Sequence, residues 1–227
     1  MAARSIIVTG GFGALGRVTA AAFADQGDKV ARVDLTPQPP DANATGRDLG
    51  GVDLTDPAAT VNAVARVTEA FGGVDVLVNI AGGFKWETVA DGSLETWQQM
   101  YAMNALSAVT MTKAALPELR RRAGARIVNI GAGAAIQAAA GMGSYAASKA
   151  AVHRFTESLA AELAQEDITV NAILPSIIDT PSNRAAMPDA DFSKWVQPQA
   201  IAEVILFLAS PAARAISGAL IPVTRGG

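Results

Sequence analysis

The chain has 227 residues, half of them hydrophobic and 17% charged, which excludes a disordered chain and suits one domain with a full core. Eighteen basic residues against 21 acidic ones give a formal net charge of −3, so nucleic acid is not an expected partner. With no cysteine and a single histidine, His153, a disulfide framework, a thiolate or multi-histidine metal site and a cysteine nucleophile are excluded, and no metal is expected.

Strand and helix signals alternate along the chain. A strand is predicted over 5–8, a helix over 14–26, a strand over 29–34 and a weak strand over 51–54. A helix follows over 56–71, with Asp56 as cap and Pro57 as first helical residue. Next come a strand over 74–80 and a long helix over 93–122, capped by Ser93 and bent or interrupted at Pro117. Arg120, Arg121 and Arg122, with Arg126, read as a solvated helix end. The remaining elements are strands over 126–130, 168–174 and 219–223 and helices over 144–165 and 198–209. The strands are apolar on consecutive residues, as parallel strands covered on both faces are. The expected fold is a doubly wound parallel sheet of Rossmann type, three-layer α/β/α, in a single domain over 1–227 with a short substrate loop around 176–197. The run 6–8 is too short for a secretory signal, and the compartment expected is a reducing cytoplasm. The uncharged stretch 127–148 is long enough for a bilayer, but its glycines, Asn129, Gln137 and serines read as a buried strand and a Gly/Ala-rich loop, so no membrane partner is expected.

Between the first strand and helix lies Thr9-Gly10-Gly11-Phe12-Gly13-Ala14-Leu15-Gly16, in which Gly11, Gly13 and Gly16 satisfy G-x-G-x-x-G. Such a turn lets backbone N–H groups approach a pyrophosphate at a helix N-terminus. Asp34 ends the second strand, 18 residues past Gly16, where a carboxylate accepts ribose hydroxyls of NAD and repels the 2′-phosphate of NADP. NAD(H) is therefore expected over NADP(H). Further on, Tyr145 and Lys149 stand at i and i+4 on one helix face. A lysine charge and a nicotinium charge would draw the phenol toward a usable acid/base pKa.

These residues, with Asp53, Leu54, Asn79-Ile80-Ala81-Gly82, Asn104 and Pro175 through Thr180, resemble the short-chain dehydrogenase/reductase family along nearly the whole chain. The resemblance implies a cofactor site of Gly10, Gly11, Phe12, Gly13, Ala14, Leu15, Gly16, Asp34, Asp53, Leu54, Asn79, Ala81, Gly82, Tyr145, Lys149, Pro175, Ile178 and Thr180. It implies catalysis by Tyr145, Lys149 and Asn104, the last kinking the long helix and holding a relay water. It also implies a homodimer or homotetramer formed through the long central helices.

The family's catalytic serine lies 13 residues before the tyrosine, and Ala132 stands there. Losing one such donor costs about 10²–10³ in turnover, so the acceptor is expected to need less oxyanion stabilisation, unless Ser144 or Gln137 replaces the hydroxyl. The branch that shares this alanine is dihydropteridine reductase. It is similar also in the glycine loop, Ala81-Gly82-Gly83-Phe84, Gly141-Met142, Ala151-Val152-His153 and the run from Leu174 to Trp195. The expected small-molecule acceptor is a quinonoid dihydropterin or similar flat heterocycle, bordered by Phe84, Ala132, Gln137 and Met142, with Trp86, Met187 and Trp195 as further candidates. The alternatives are a carbonyl reductase or alcohol dehydrogenase lacking the serine, and a non-catalytic dinucleotide sensor. His153 reads as structural and Asp179 as a cap or surface carboxylate.

Overall fold

A computed structural model of the chain describes residues 3–41 and 46–225. Its strands are β1 Ser5–Thr9, β2 Lys29–Val33, β3 Arg47–Leu49, β4 Val76–Asn79, β5 Ala125–Ile130, β6 Ile168–Pro175 and β7 Leu220–Val223. They form one sheet in the order β3-β2-β1-β4-β5-β6-β7, with every pairing parallel. Sequence order reverses between β1 and β4, which opens a crevice beyond their carboxyl ends.

The α-helices are α1 Ala14–Asp25, α2 Pro57–Phe71, α3 Leu94–Tyr101, α4 Ser107–Leu119, α5 Gly143–Glu162, α6 Pro181–Ala186 and α7 Pro198–Leu208. Successive strand side chains point to opposite faces, so each face carries its own core. On one, Ile7, Leu77 and Ile127 meet Val64 and Val67 of α2, Met111 and Leu119 of α4 and Leu159 of α5. On the other, Ile6, Val8 and Val128 meet Leu15 and Phe23 of α1 and Ile201, Ile205 and Leu208 of α7. The doubly wound three-layer Rossmann arrangement read from the sequence is the one observed.

Four local expectations are corrected. The third strand is Arg47–Leu49, not 51–54, where Val52 and Leu54 are buried without joining the sheet. The long helix is interrupted by a π-helical turn at Ala102–Leu106, whereas Pro117 sits inside α4 two residues before its end, where few i→i−4 bonds remain to lose. Arg126 belongs to no solvated helix end: it is the second residue of β5 and is 4% exposed. The short helix α6 has no counterpart in the sequence reading. Among the described residues, no helix is long and apolar enough to cross a membrane.

Candidate active site

The crevice at the β1/β4 switch point is a cleft of about 970 Å³. The β1–α1 turn forms its floor. Gly10 has φ +62°, and a methyl group at Gly16 would collide with the Gly10 carbonyl oxygen, so turn and helix touch backbone to backbone. Helix α1 begins after Gly13 with no side-chain cap and no acid in its first turn. Its first amides thus face the cleft without a competing anion. Phe12, Gly13, Ala14, Leu15 and Gly16 line this floor, and Gly11 lies beneath it against Arg32.

Asp34 borders the cleft, and its carboxylate accepts from the Phe12 amide at 3.0 Å and the Thr36 amide at 2.9 Å. Leu54 and Asp53 form the next wall, where the Thr55 hydroxyl and amide hold the Asp53 carboxyl below its ordinary value. Ala81 and Gly82 close the inner side and Thr180 the far side. A cleft this long, with bare helix amides in the middle and a carboxylate toward one end, fits a dinucleotide.

Helix α5 carries the expected proton-transfer groups; neither lines the cleft itself, and Lys149 Nζ lies behind Gly82 of its inner side. Lys149 is 5% exposed, and its Nζ donates to the Ile130 carbonyl at 2.8 Å. Burial pushes its pKa down to about 8. Tyr145 is half-buried, and burial raises its pKa. Desolvation disfavours the phenolate, and the lowering expected from sequence calls on the coenzyme's charge beside that of Lys149. Asn104 is the centre of the π turn, as its kinking role requires. Its side chain clamps Gly83, accepting from the amide at 3.0 Å and donating to the carbonyl at 3.1 Å, and donates to Ser148 Oγ at 3.0 Å. The carboxamide therefore fixes the β4–α3 loop to α5.

Other expected members lie apart from the cleft wall. Asn79 is buried below it, donating to Thr112 Oγ1 and Asn129 Oδ1 at 3.0 and 2.9 Å. Pro175 is the buried end of β6, and Ile178 bridges to Val196. Thr180 reaches the cleft but also caps α6 by accepting from the Asn183 amide. On the acceptor side, the Phe84 ring stands against Tyr145, Ala132 is buried, Met142 precedes α5 and Gln137 is exposed. The Ser144 Oγ is sealed from solvent with no hydrogen-bond partner. Trp86 ties two loops, donating from Nε1 to the Ala140 carbonyl at 3.0 Å, and Met187 is partly exposed. Trp195 is a buried anchor packed on Phe192, not a pocket wall.

Two positions escaped the sequence reading, and a third was misread. Arg32 is buried under the Phe12 ring and paired with Asp41 and Asp48, bracing the adenine-side loop. Ser148 links Asn104 to the Tyr145 carbonyl. Asp179 is no cap and no free surface group: Arg184, then Gln197, hold its carboxyl down at about 2. An arginine inside an apolar strand was the one available signal, for Arg32.

The short chain dehydrogenase family model matches residues 4–191. The chain is 34% identical over 241 residues to 2,5-dichloro-2,5-cyclohexadiene-1,4-diol dehydrogenase LinX of Sphingobium indicum, covering 100% of this chain and 96% of that one. It is 31% identical to the 3-oxoacyl-[acyl-carrier-protein] reductase FabG of Vibrio cholerae, covering 97% and 95%. Among solved structures, ligand-free aldohexose dehydrogenase of Thermoplasma acidophilum has a TM-score of 0.89 at 28% identity, covering 99% and 93%. The 3-ketoacyl-(acyl-carrier-protein) reductase of Brucella melitensis complexed with NADH has 0.87 at 26%, covering 97% and 96%. These relatives carry the family and not the narrower likeness to dihydropteridine reductase. The chain belongs to the short-chain dehydrogenase family and is an NAD(P)-dependent oxidoreductase.

Proposed function

We propose that this oxidoreductase works with NADH on a flat, conjugated small-molecule acceptor, a quinonoid dihydropterin or similar heterocycle. The observation that carries the reading is the missing donor at Ala132: the side chain has no hydroxyl, its amide is engaged by His153, and the Ser144 hydroxyl is sealed. An acceptor that develops charge on one carbonyl oxygen lacks its usual second donor there. A conjugated ring that spreads charge loses less. When bound, the reduced nicotinamide supplies a hydride.

The chain's residues do the rest. Asp34 accepts from the adenosine ribose, and its charge disfavours a 2′-phosphate. The first amides of α1 hold the pyrophosphate, and Asp53 and Leu54 border the adenine. Thr180, with Pro175 and Ile178 behind it, shapes the nicotinamide end. Tyr145 delivers the proton, and Lys149, when charged, draws its pKa down and holds the nearer ribose. Asn104 keeps Gly83, and with it Phe84, in register with α5. Leu94, Trp97, Tyr101 and Leu106 are exposed along α3 and the π turn, which supports pairing of two copies through these helices.

A second reading is oxidation of a ring diol or reduction of a ketoacyl group, favoured by the full-length relatives. NADH and NADPH oxidation against a generated quinonoid dihydropterin, a quinone and a ketoacyl thioester, with NAD⁺ reduction by a cyclic diol, separates the two. Fast turnover of the dihydropterin with NADH supports the first, and turnover confined to diol or ketoacyl substrates supports the second. Binding of NADH with no turnover of any would make the protein a nucleotide sensor. Ala132→Ser is expected to raise ketone reduction and leave a pterin nearly unchanged.

A further inference from the structure

Helix α5 grips the carboxyl end of β5 at three heights. Thr156 Oγ1 accepts from Asn129 Nδ2 at 2.9 Å, Lys149 Nζ donates to the Ile130 carbonyl at 2.8 Å, and His153 Nε2 accepts from the Ala132 amide at 3.3 Å. The last of these reaches the position where the family's donor serine is missing. The fit is close. A Cβ at Gly131 would stand 2.5 Å from His153 Nε2 and 2.8 Å from its Cδ2, so the imidazole rests on bare main chain. His153 is 3% exposed.

A ring nitrogen that accepts is unprotonated, so the ring proton resides on Nδ1. Burial first, then the charges of Arg154 and Lys149 against that of Glu157, keep the ring below its ordinary pKa. These charged neighbours all lie on α5. The β5 and β6 side offers Gly131 and Leu174, neither of which titrates.

We propose that His153 is a positioning residue for the acceptor half of the site: in its Nδ1–H tautomer it fixes the main chain at Ala132 and takes up that amide, leaving Tyr145 as the donor to the acceptor. The ring touches neither acceptor nor cofactor in this role. It sets where a side chain at position 132 stands, and so whether a hydroxyl introduced there is productive. The proposal rests on the reading that position 132 borders the acceptor.

Two measurements test it, and they separate its failure from that of the underlying reading. His153 is the only histidine, so untagged protein shows a single imidazole in long-range ¹H–¹⁵N spectra. The expected spectrum is that of the Nδ1–H tautomer at neutral pH, with a titration displaced to acid. An Nε2–H tautomer overturns the proposal without reference to activity.

The second measurement combines Ala132→Ser with His153→Leu and with His153→Gln, whose side-chain oxygen can still accept from the amide. The gain in ketone reduction from Ala132→Ser is expected to fall about tenfold beside His153→Leu and to return beside His153→Gln, as loss and recovery of one buried hydrogen bond dictate. Thermal melting and NADH binding show that each variant is folded. An undiminished gain beside His153→Leu overturns the positioning role. If Ala132→Ser gains nothing in any background, the acceptor reading fails and the tautomer alone decides the proposal.

Discussion

The Phe84 ring stands edge-on to the Tyr145 phenol, with centroids 5.0 Å apart and planes at 84°. Phe84 is 53% exposed, so one face of the ring remains open toward an acceptor over Tyr145. Removing the ring takes away a contact surface and leaves the phenol in place. Phe84→Ala is expected to raise the KM of a flat acceptor about 2- to 10-fold, the worth of one aromatic pair, and to change kcat less than about twofold. Steady-state kinetics check this. A fall in kcat at constant KM would place Phe84 among the groups that act in the transition state.

Among the described residues that line the cleft, the acids are Asp34 and Asp53, and the Asp34 carboxylate is already oriented by the Phe12 and Thr36 amides. Neutralising it removes repulsion toward a 2′-phosphate. Asp34→Asn is expected to shift the ratio of kcat/KM for NADH to that for NADPH about tenfold or more toward NADPH. Parallel kinetics with the two coenzymes read it directly. An unchanged ratio would move the discrimination elsewhere, to the loop braced by Arg32 and Asp41.

Lys149 titrates at about 8 in this structure because burial penalises its charged form, against 10.5 for the free side chain. The sign follows from linkage. The folded state binds its proton less readily than the unfolded state, so the Lys149 contribution to stability is present above pH 10.5 and lost as pH falls through 8. In the protein without coenzyme, unfolding free energy relative to Lys149→Met should therefore climb between pH 8 and 9.5. Urea melts at several pH values test it, within a window kept below the range of Tyr145. A flat difference would mean that the ammonium is solvated.

The legible parts of this molecule are those whose physics is local. Consecutive β-branched runs announced β1, β4, β5 and β6, and the cap pair Asp56-Pro57 announced α2 to within one residue. The phosphate turn was readable because only glycine tolerates the backbone contacts at Gly10 and Gly16. What escaped depends on tertiary partners. Arg47-Asp48-Leu49 is a strand because β2 lies beside it, not because the tripeptide favours one. The break at Asn104 was expected only by resemblance, because it exists where the carboxamide meets Gly83 and Ser148, 21 and 44 residues away. Asn79, assigned to the coenzyme by resemblance, instead joins Thr112 and Asn129 inside the fold. Burial of Tyr145 and Lys149 escaped for a related reason: helical spacing gives their adjacency but not the desolvation of both groups.

Gly16 offers a test of the cleft floor that is independent of chemistry. A methyl group there collides with the Gly10 carbonyl oxygen, which is main chain and cannot yield without moving the turn. Gly16→Ala is expected to weaken NADH binding about tenfold or more while the far-UV spectrum stays native, since the helix after it is otherwise favoured by alanine. Fluorescence titration measures it. Unchanged affinity would remove the β1–α1 turn from the pyrophosphate site.

The most direct test of the account is the turnover of Tyr145→Phe measured beside its NADH affinity. The substitution deletes one hydroxyl and keeps the ring against Phe84. If Tyr145 delivers the proton, kcat falls by about 10²–10⁴ with every accepted substrate while the NADH Kd stays within about twofold. Turnover within about threefold of wild type, at the same affinity, would contradict the assignment of the reaction to this phenol.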